Sequence, residues 1–318
     1  MSARPLAFAV GGLTKTFDSL TAVDDVSFVV PAGSVAALVG PHGAGKTTVL
    51  RMLLGLLTPT SGTASVGGPG SGVRARQRAV GAMLTPRGLH PARRVFDQLR
   101  VYAAAAGVSD ARVEELLALV RLTDVAGERI GGLTEGMRTR LALAVALLGE
   151  PPLLVLDDPA TGLDIGETAW LNDHLRGHAR RGGTVLLTSR TLSTVLPIAD
   201  ELIVMDRGRV AYQGSPARLR RSHPDRLLVK ASSPIALATT LAAQGFTDAV
   251  MRPDGRLAIA EASLTQLESA ASDARVQLTE VTPEHIHPDQ VLAALTHTGP
   301  TAPAYPAPPA AAGYGPPR

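Results

Sequence analysis

One short segment constrains this chain more than any other. Gly40-Pro41-His42-Gly43-Ala44-Gly45-Lys46-Thr47-Thr48 follows the apolar run Val35–Val39 and leads into a helical pattern over Lys46–Leu56. It fits G-x-x-x-x-G-K-[ST], with a strand before it and a helix after it. Such a loop turns backbone N–H groups inward, and glycine permits both the dihedrals and the close approach of main chain to an anion. The helix start adds the positive end of its dipole. Lys46 suits a point contact with β and γ phosphates, and Thr47 offers a hydroxyl to Mg²⁺. A chance glycine-rich turn would not bring both flanking elements with it.

The surrounding pattern predicts an α/β fold. Strands are expected at Leu6–Val10, Val26–Val30, Val35–Val39, Val80–Leu84, Leu153–Leu156, Thr184–Thr188 and Leu202–Met205. Helices are expected at Lys46–Leu56, Phe96–Ala106, Ala111–Val120, Gly136–Leu148 and Ile165–Ala179. The wholly apolar runs Leu153–Leu156 and Val185–Leu187 read as central parallel strands buried on both faces. Alternating strands and helices imply a parallel sheet with helical layers. Residues from about 86 to 150 are helical and lack strand signals, so they read as an insertion into that core.

Composition narrows the class. The chain has 318 residues, 45% of them apolar, which is enough for a core and argues against an unfolded chain. Net charge is +3, so a nucleic-acid coat is not expected. The absence of cysteine excludes a disulfide scaffold, a thiol nucleophile and a cysteine-bound zinc site. No apolar run reaches the roughly 18 residues that a membrane span needs; Leu141–Leu156 is broken by Gly149-Glu150-Pro151-Pro152. Pro5–Val10 is too short for a secretory signal. A soluble, intracellular chain is expected.

The C-terminal third restarts the pattern. Pro216–Arg226 carries Arg218, Arg220, Arg221 and Arg226 and reads as a solvated linker helix rather than a phosphate patch. Strand signals at Arg226–Lys230, Thr247–Arg252, Arg256–Ala260 and Ala274–Val281 alternate with helices at Pro234–Gln244 and Ser263–Ser272. That order is β-α-β-β-α-β, as in small ferredoxin-like α+β domains. His285, His287 and His297 lack the acidic or cysteine partners of a metal site. Residues 298–318, rich in Pro and Ala, read as a disordered tail. The expected division is 1–215, a linker at 216–225, an accessory domain at 226–297 and the tail.

Asp157-Asp158-Pro159 follows the apolar run Leu153–Leu156. A carboxylate at the end of a buried strand is costly unless it has a task. Here Asp157 can hold the Mg²⁺–water shell of a bound triphosphate.

Several motifs together resemble the nucleotide-binding domains of ATP-binding-cassette transporters over about residues 6–215. Phe17 stands where that family places an aromatic against adenine, and Ala22–Phe28, with Val23, resembles the next strand. Leu133-Thr134-Glu135-Gly136-Met137 resembles the signature written LSGGQ. Thr161-Gly162-Leu163-Asp164 resembles the D-loop. The resemblance implies that Thr134, Gly136 and Asp164 serve nucleotide held across a head-to-tail dimer, homodimeric or heterodimeric. It also implies ATP and Mg²⁺ as ligands, a separate transmembrane permease as partner, export as the activity and a peripheral place on the inner face of the membrane.

Four motifs depart from the family pattern, at five positions. Asp158 replaces the glutamate that polarises attacking water, and a misplacement of about 1 Å can lower a rate by roughly 10²-fold. Arg190 stands at the switch-histidine position, but a guanidinium cannot accept a proton as neutral imidazole does. Thr85 stands at the Q-loop glutamine position. Glu135 and Met137 replace the usual glycine and glutamine of the signature. Two readings follow: a slow export ATPase, or an ATP-binding protein impaired in hydrolysis that acts as a sensor or as the degenerate partner of a cassette pair. A chromosome-organising ATPase would need a long coiled coil between Lys46 and Asp157, and the chain has no sustained heptads.

Overall fold

The computed structural model describes residues 5–67, 79–85, 87–260, 262–284 and 287–297. The expected tail and His285 lie outside the described residues. By its contacts the chain divides into two compact units. One holds residues 5–213 with 292–297; the other is Gly214–Val291.

The first unit has two sheets. An antiparallel sheet contains β1 (Leu6–Phe17), β2 (Leu20–Pro31) and β4 (Ser61–Val66), in the order β2-β1-β4. The larger sheet contains β3 (Val35–Val39), β5 (Val80–Met83), β6 (Leu153–Leu156), β7 (Thr184–Ser189), β8 (Glu201–Asp206) and β9 (Arg209–Gly214). Its order is β5-β6-β7-β3-β8-β9, and β5, β6, β7, β3 and β8 are mutually parallel. Every residue of β3 and β7 is buried, as expected for strands covered on both faces. The helix Lys46–Leu53 turns Val49, Leu50 and Met52 into one core with Phe8, Val26 and Phe28 of the antiparallel sheet and Leu38, Val155 and Ile203 of the parallel one.

Between β5 and β6 the described chain forms the helices Val95–Ala106, Asp110–Leu119 and Glu135–Leu147, with short 3₁₀ turns at Thr123–Val125 and Ile130–Gly132. The last of these helices lies close against β5, and Gly81 makes that approach possible. A Cβ there would sit 2.1 Å from the Ala146 carbonyl oxygen and 2.6 Å from Pro151 Cγ. Gly81→Ala is therefore expected to destabilise the protein by about 1–3 kcal/mol, as overpacking does. A lower urea midpoint at unchanged slope would show this; an unmoved midpoint would mean that the helix shifts freely.

Several boundaries differ from the sequence reading, for local reasons. The first helix stops at Leu53 rather than Leu56, because Gly55 takes φ +72° just past its cap. β1 and β2 are longer than expected, and β4 and β9 carried no clear apolar signal. β4 depends on Gly62, whose φ is +84° and whose Cβ would lie 2.2 Å from Gly12 O.

The second unit contains β10 (Arg226–Ala231), β11 (Val250–Met251), β12 (Leu257–Ala260) and β13 (Leu278–Glu284), in the order β11-β12-β10-β13 with antiparallel pairs throughout. The helices Pro234–Ala243 and Leu264–Ala274 supply Leu237, Leu241, Leu267 and Ala270 to a core with Val229, Leu257 and Ile259. The strand expected at Ala274–Val281 begins later. Alanines carry the helix through Ala274, and Arg275 closes it at φ +52°. The expected linker contains the helix Pro216–Ser222, which buries Pro216 and Leu219 and groups with this unit. The helix Pro288–His297 had no counterpart in the sequence reading.

Candidate functional site

Parallel strands end on one edge of a sheet, and that edge gathers the site. Thr85 follows β5, Asp157 follows β6, Arg190 follows β7, and Gly40 follows β3. In open α/β sheets, ligands bind outside the carboxyl ends of the strands. A cleft of about 350 Å³ lies there, lined by His42–Thr48, Ala22, Thr85, Asp157, Asp158, Thr188 and Arg190.

The loop conformation depends on its glycines. Gly43 and Gly45 take φ +81° and +94°. A Cβ on Gly45 would meet Ala22 O at 2.5 Å and Val23 Cγ2 at 3.2 Å, so Val23 supports the loop from behind and does not line the cleft. Gly40 has a different reason: a Cβ would lie 2.2 Å from Met205 O of β8. Lys46 Nζ donates to Gly40 O at 2.7 Å and to Pro41 O at 2.8 Å. Burial pushes its pKa below the usual lysine value, partly offset by the carboxylates of Asp158 and Asp157, while Arg190 adds to the lowering.

Asp157 is buried and multiply held. Its Oδ2 accepts from Thr47 Oγ1 at 2.8 Å, and its Oδ1 accepts from Thr188 Oγ1 at 2.7 Å. The Thr85 amide approaches Oδ2 at 3.4 Å, and Thr85 O accepts from Arg51 Nη2 at 2.7 Å. Thr85 thus serves the site through its backbone. A hydroxyl beside one carboxylate suits Mg²⁺, which takes few protein ligands and completes its octahedron with water and phosphate oxygens. Among the described residues no three His, Cys, Asp or Glu side chains gather to hold a metal unaided.

Asp158 sits at φ +51°, in the left-handed region, with its N–H donating to Thr188 Oγ1 at 2.9 Å. Its Oδ2 is 2.9 Å from Arg190 Nε. Thr188 therefore orients both acidic residues. It was missed in the sequence, where it shows only as a hydroxyl near the end of an apolar strand.

Besides Val23, four expected residues lie away from the cleft. Phe17 is 44% exposed at the end of β1, with Lys15 Nζ 5.0 Å from its ring centre. Thr134 caps the helix Glu135–Leu147, its hydroxyl accepting from Met137 N at 3.2 Å. Gly136 opens that helix under the D-loop; a Cβ would lie 2.5 Å from Gly162 O. Asp164 caps the helix Ile165–Arg180, its carboxylate accepting from Glu167 N at 2.7 Å. None of the four lines the phosphate cleft of its own chain.

A glycine-rich loop closing on a helix, with lysine, threonine and a strand-end aspartate around one cleft, defines a P-loop nucleotide-binding ATPase. The family model described as ABC transporter matches residues 23–161. The chain is 36% identical over 224 residues to the Nod factor export ATP-binding protein I of Rhizobium sp. (strain N33), covering 69% of this chain and 74% of that one. It is 38% identical over 218 residues to the protein of the same name from Ralstonia nicotianae, covering 66% and 68%. A solved ATP-binding subunit of an ABC transporter superposes with a TM-score of 0.61 at 28% identity, over 68% of this chain and 93% of that one. The chain belongs to the ABC transporter family, as an ATP-binding subunit of the kind that hydrolyses ATP.

Proposed function

We propose that this subunit drives export through a separate transmembrane permease, by closing a head-to-tail cassette dimer on ATP and hydrolysing it slowly. The observation that carries the slow step is the contact between Arg190 Nε and Asp158 Oδ2, at 2.9 Å. A carboxylate that polarises water needs a free lone pair aimed at that water. Here the shorter aspartate already faces a guanidinium. The names of the export relatives support the direction of transport.

Each part of the cleft has a task in that cycle. Lys46 exchanges the Gly40 and Pro41 carbonyls for β- and γ-phosphate oxygens, so that the ammonium meets anionic acceptors in place of neutral ones. Thr47 and Asp157 would hold Mg²⁺, which supplies charge neutralisation for the phosphates when bound. Thr134 and the start of its helix meet the γ-phosphate of the partner cassette, which explains why they lie outside the cleft of their own chain. Thr188 keeps Asp158 at the γ-phosphate end by holding its amide. Among the described residues no helix is long and apolar enough to cross a membrane, which fits a peripheral subunit on the inner face. The second unit is assigned as a split βαβ domain, on its strand order and antiparallel pairing.

Extraction from native membranes tests this reading. The chain should co-purify with a multi-span membrane protein, and the complex should turn over ATP below the roughly 1–100 s⁻¹ usual for kinases. A stable complex without any membrane protein would favour an ATP sensor instead.

A further inference from the structure

Arg140 is a buried hub, its side chain only 10% exposed. Nη1 donates to Val120 O at 2.9 Å and to Arg121 O at 3.0 Å, just past the helix Asp110–Leu119. Nη2 lies 3.2 Å from Glu167 Oε1. Glu167 in turn accepts from Asp164 N at 3.1 Å, completing a reciprocal cap with the last residue of the D-loop. Thr139, the residue before Arg140 on the helix Glu135–Leu147, donates from Oγ1 to Thr161 O at 2.6 Å. The D-loop and the signature helix are therefore joined at both ends of the loop.

The Glu167 carboxylate also stands beside the start of that helix. A Cβ on Gly136 would lie 3.3 Å from Glu167 Oε2. A lone carboxylate there would repel a triphosphate presented to the same helix start. The guanidinium of Arg140 cancels that charge while holding it in place.

We infer that Arg140 is a positioning residue for ATP-dependent dimerisation: it holds Glu167, and through it the D-loop, against the signature helix, and neutralises Glu167 where the partner's phosphate arrives. The inference rests on the proposed ATP sandwich, so two readouts separate them. In the ATP-free full-length protein, Arg140→Met should speed hydrogen exchange of the D-loop amides 161–165 by about tenfold, a measurement that needs no dimer. In the presence of ATP, Arg140→Met should weaken dimerisation by about tenfold or more while ATP affinity of the monomer stays unchanged. Adding Glu167→Gln, which keeps the cap acceptor and removes the charge, should restore dimerisation to within about threefold.

Exchange that does not change, or dimerisation equally weak with and without Glu167→Gln, would overturn the inference and leave Arg140 a packing residue. If the parent protein does not dimerise with ATP at all, the sandwich fails and the exchange result alone decides the role of Arg140. Should Arg140→Met not fold, Glu167→Ala, at a partly buried position in the first turn of its helix, reads the same link: faster exchange of the loop is expected, and unchanged exchange overturns the inference.

Discussion

Lys46→Met protein is expected to fold as well as its parent and to bind ATP about 10²-fold more weakly, as loss of one partner from a buried charged contact does. The two halves of this expectation have one cause. Nζ is buried against two carbonyl oxygens, and burial disfavours its charge. Replacing the ammonium by a thioether removes that desolvation cost, so the empty protein loses little. What it loses is the one point charge aimed into the cleft from the loop. Turnover should fall further than affinity, by about 10²–10³-fold, because the γ-phosphate gains charge density to be stabilised on the way to transfer. Calorimetric titration with ATP and a thermal melt on the same sample check both halves. A large drop in melting temperature would mean that Lys46 holds the loop together rather than waiting for phosphate.

The second large effect runs in the opposite direction. Arg190→His should raise turnover by about tenfold, because imidazole can accept a proton and no longer pins Asp158. Adding Asp158→Glu brings the carboxylate forward by one methylene and should give about 10²-fold in total, the scale of a misplacement of about 1 Å. The histidine variant should also acquire a pH dependence absent from its parent. Its activity should fall as pH drops through about 6.5, where imidazole protonates and can no longer accept. A flat profile would show that the introduced side chain does not take part.

The parts of the site that were legible in the sequence are those built from contiguous residues. The loop over Gly40–Thr48 is a local object, since its backbone conformation and its helix follow one another in the chain. Asp157 was legible because an apolar strand ending in acid has few other uses. Pairings between strands were not legible. The Arg190–Asp158 contact joins the ends of β7 and β6, and Thr188 reaches both aspartates from β7. Which neighbour a side chain meets there depends on the strand order β5-β6-β7-β3, which the chain does not state locally. Asp164 illustrates the reverse case. Its position in the D-loop motif was visible, but the spacing to Glu167 is also that of a capping box, and the cap is what the carboxylate makes within its own chain. In the fold, the missed strands β4 and β9 share a reason: neither has the apolar alternation of a half-buried strand, and both lie at the edge of a sheet.

The central claim is that ATP binding is intact while water activation is restrained by the Arg190–Asp158 pair. Steady-state hydrolysis by the complex with its permease, comparing the parent with Asp158→Glu/Arg190→His at equal ATP occupancy, tests it most directly. A rise of about 10²-fold with ATP affinity unchanged is the predicted result. An unchanged rate would contradict the account, and would mean that the pair at the end of β6 and β7 does not limit the chemistry.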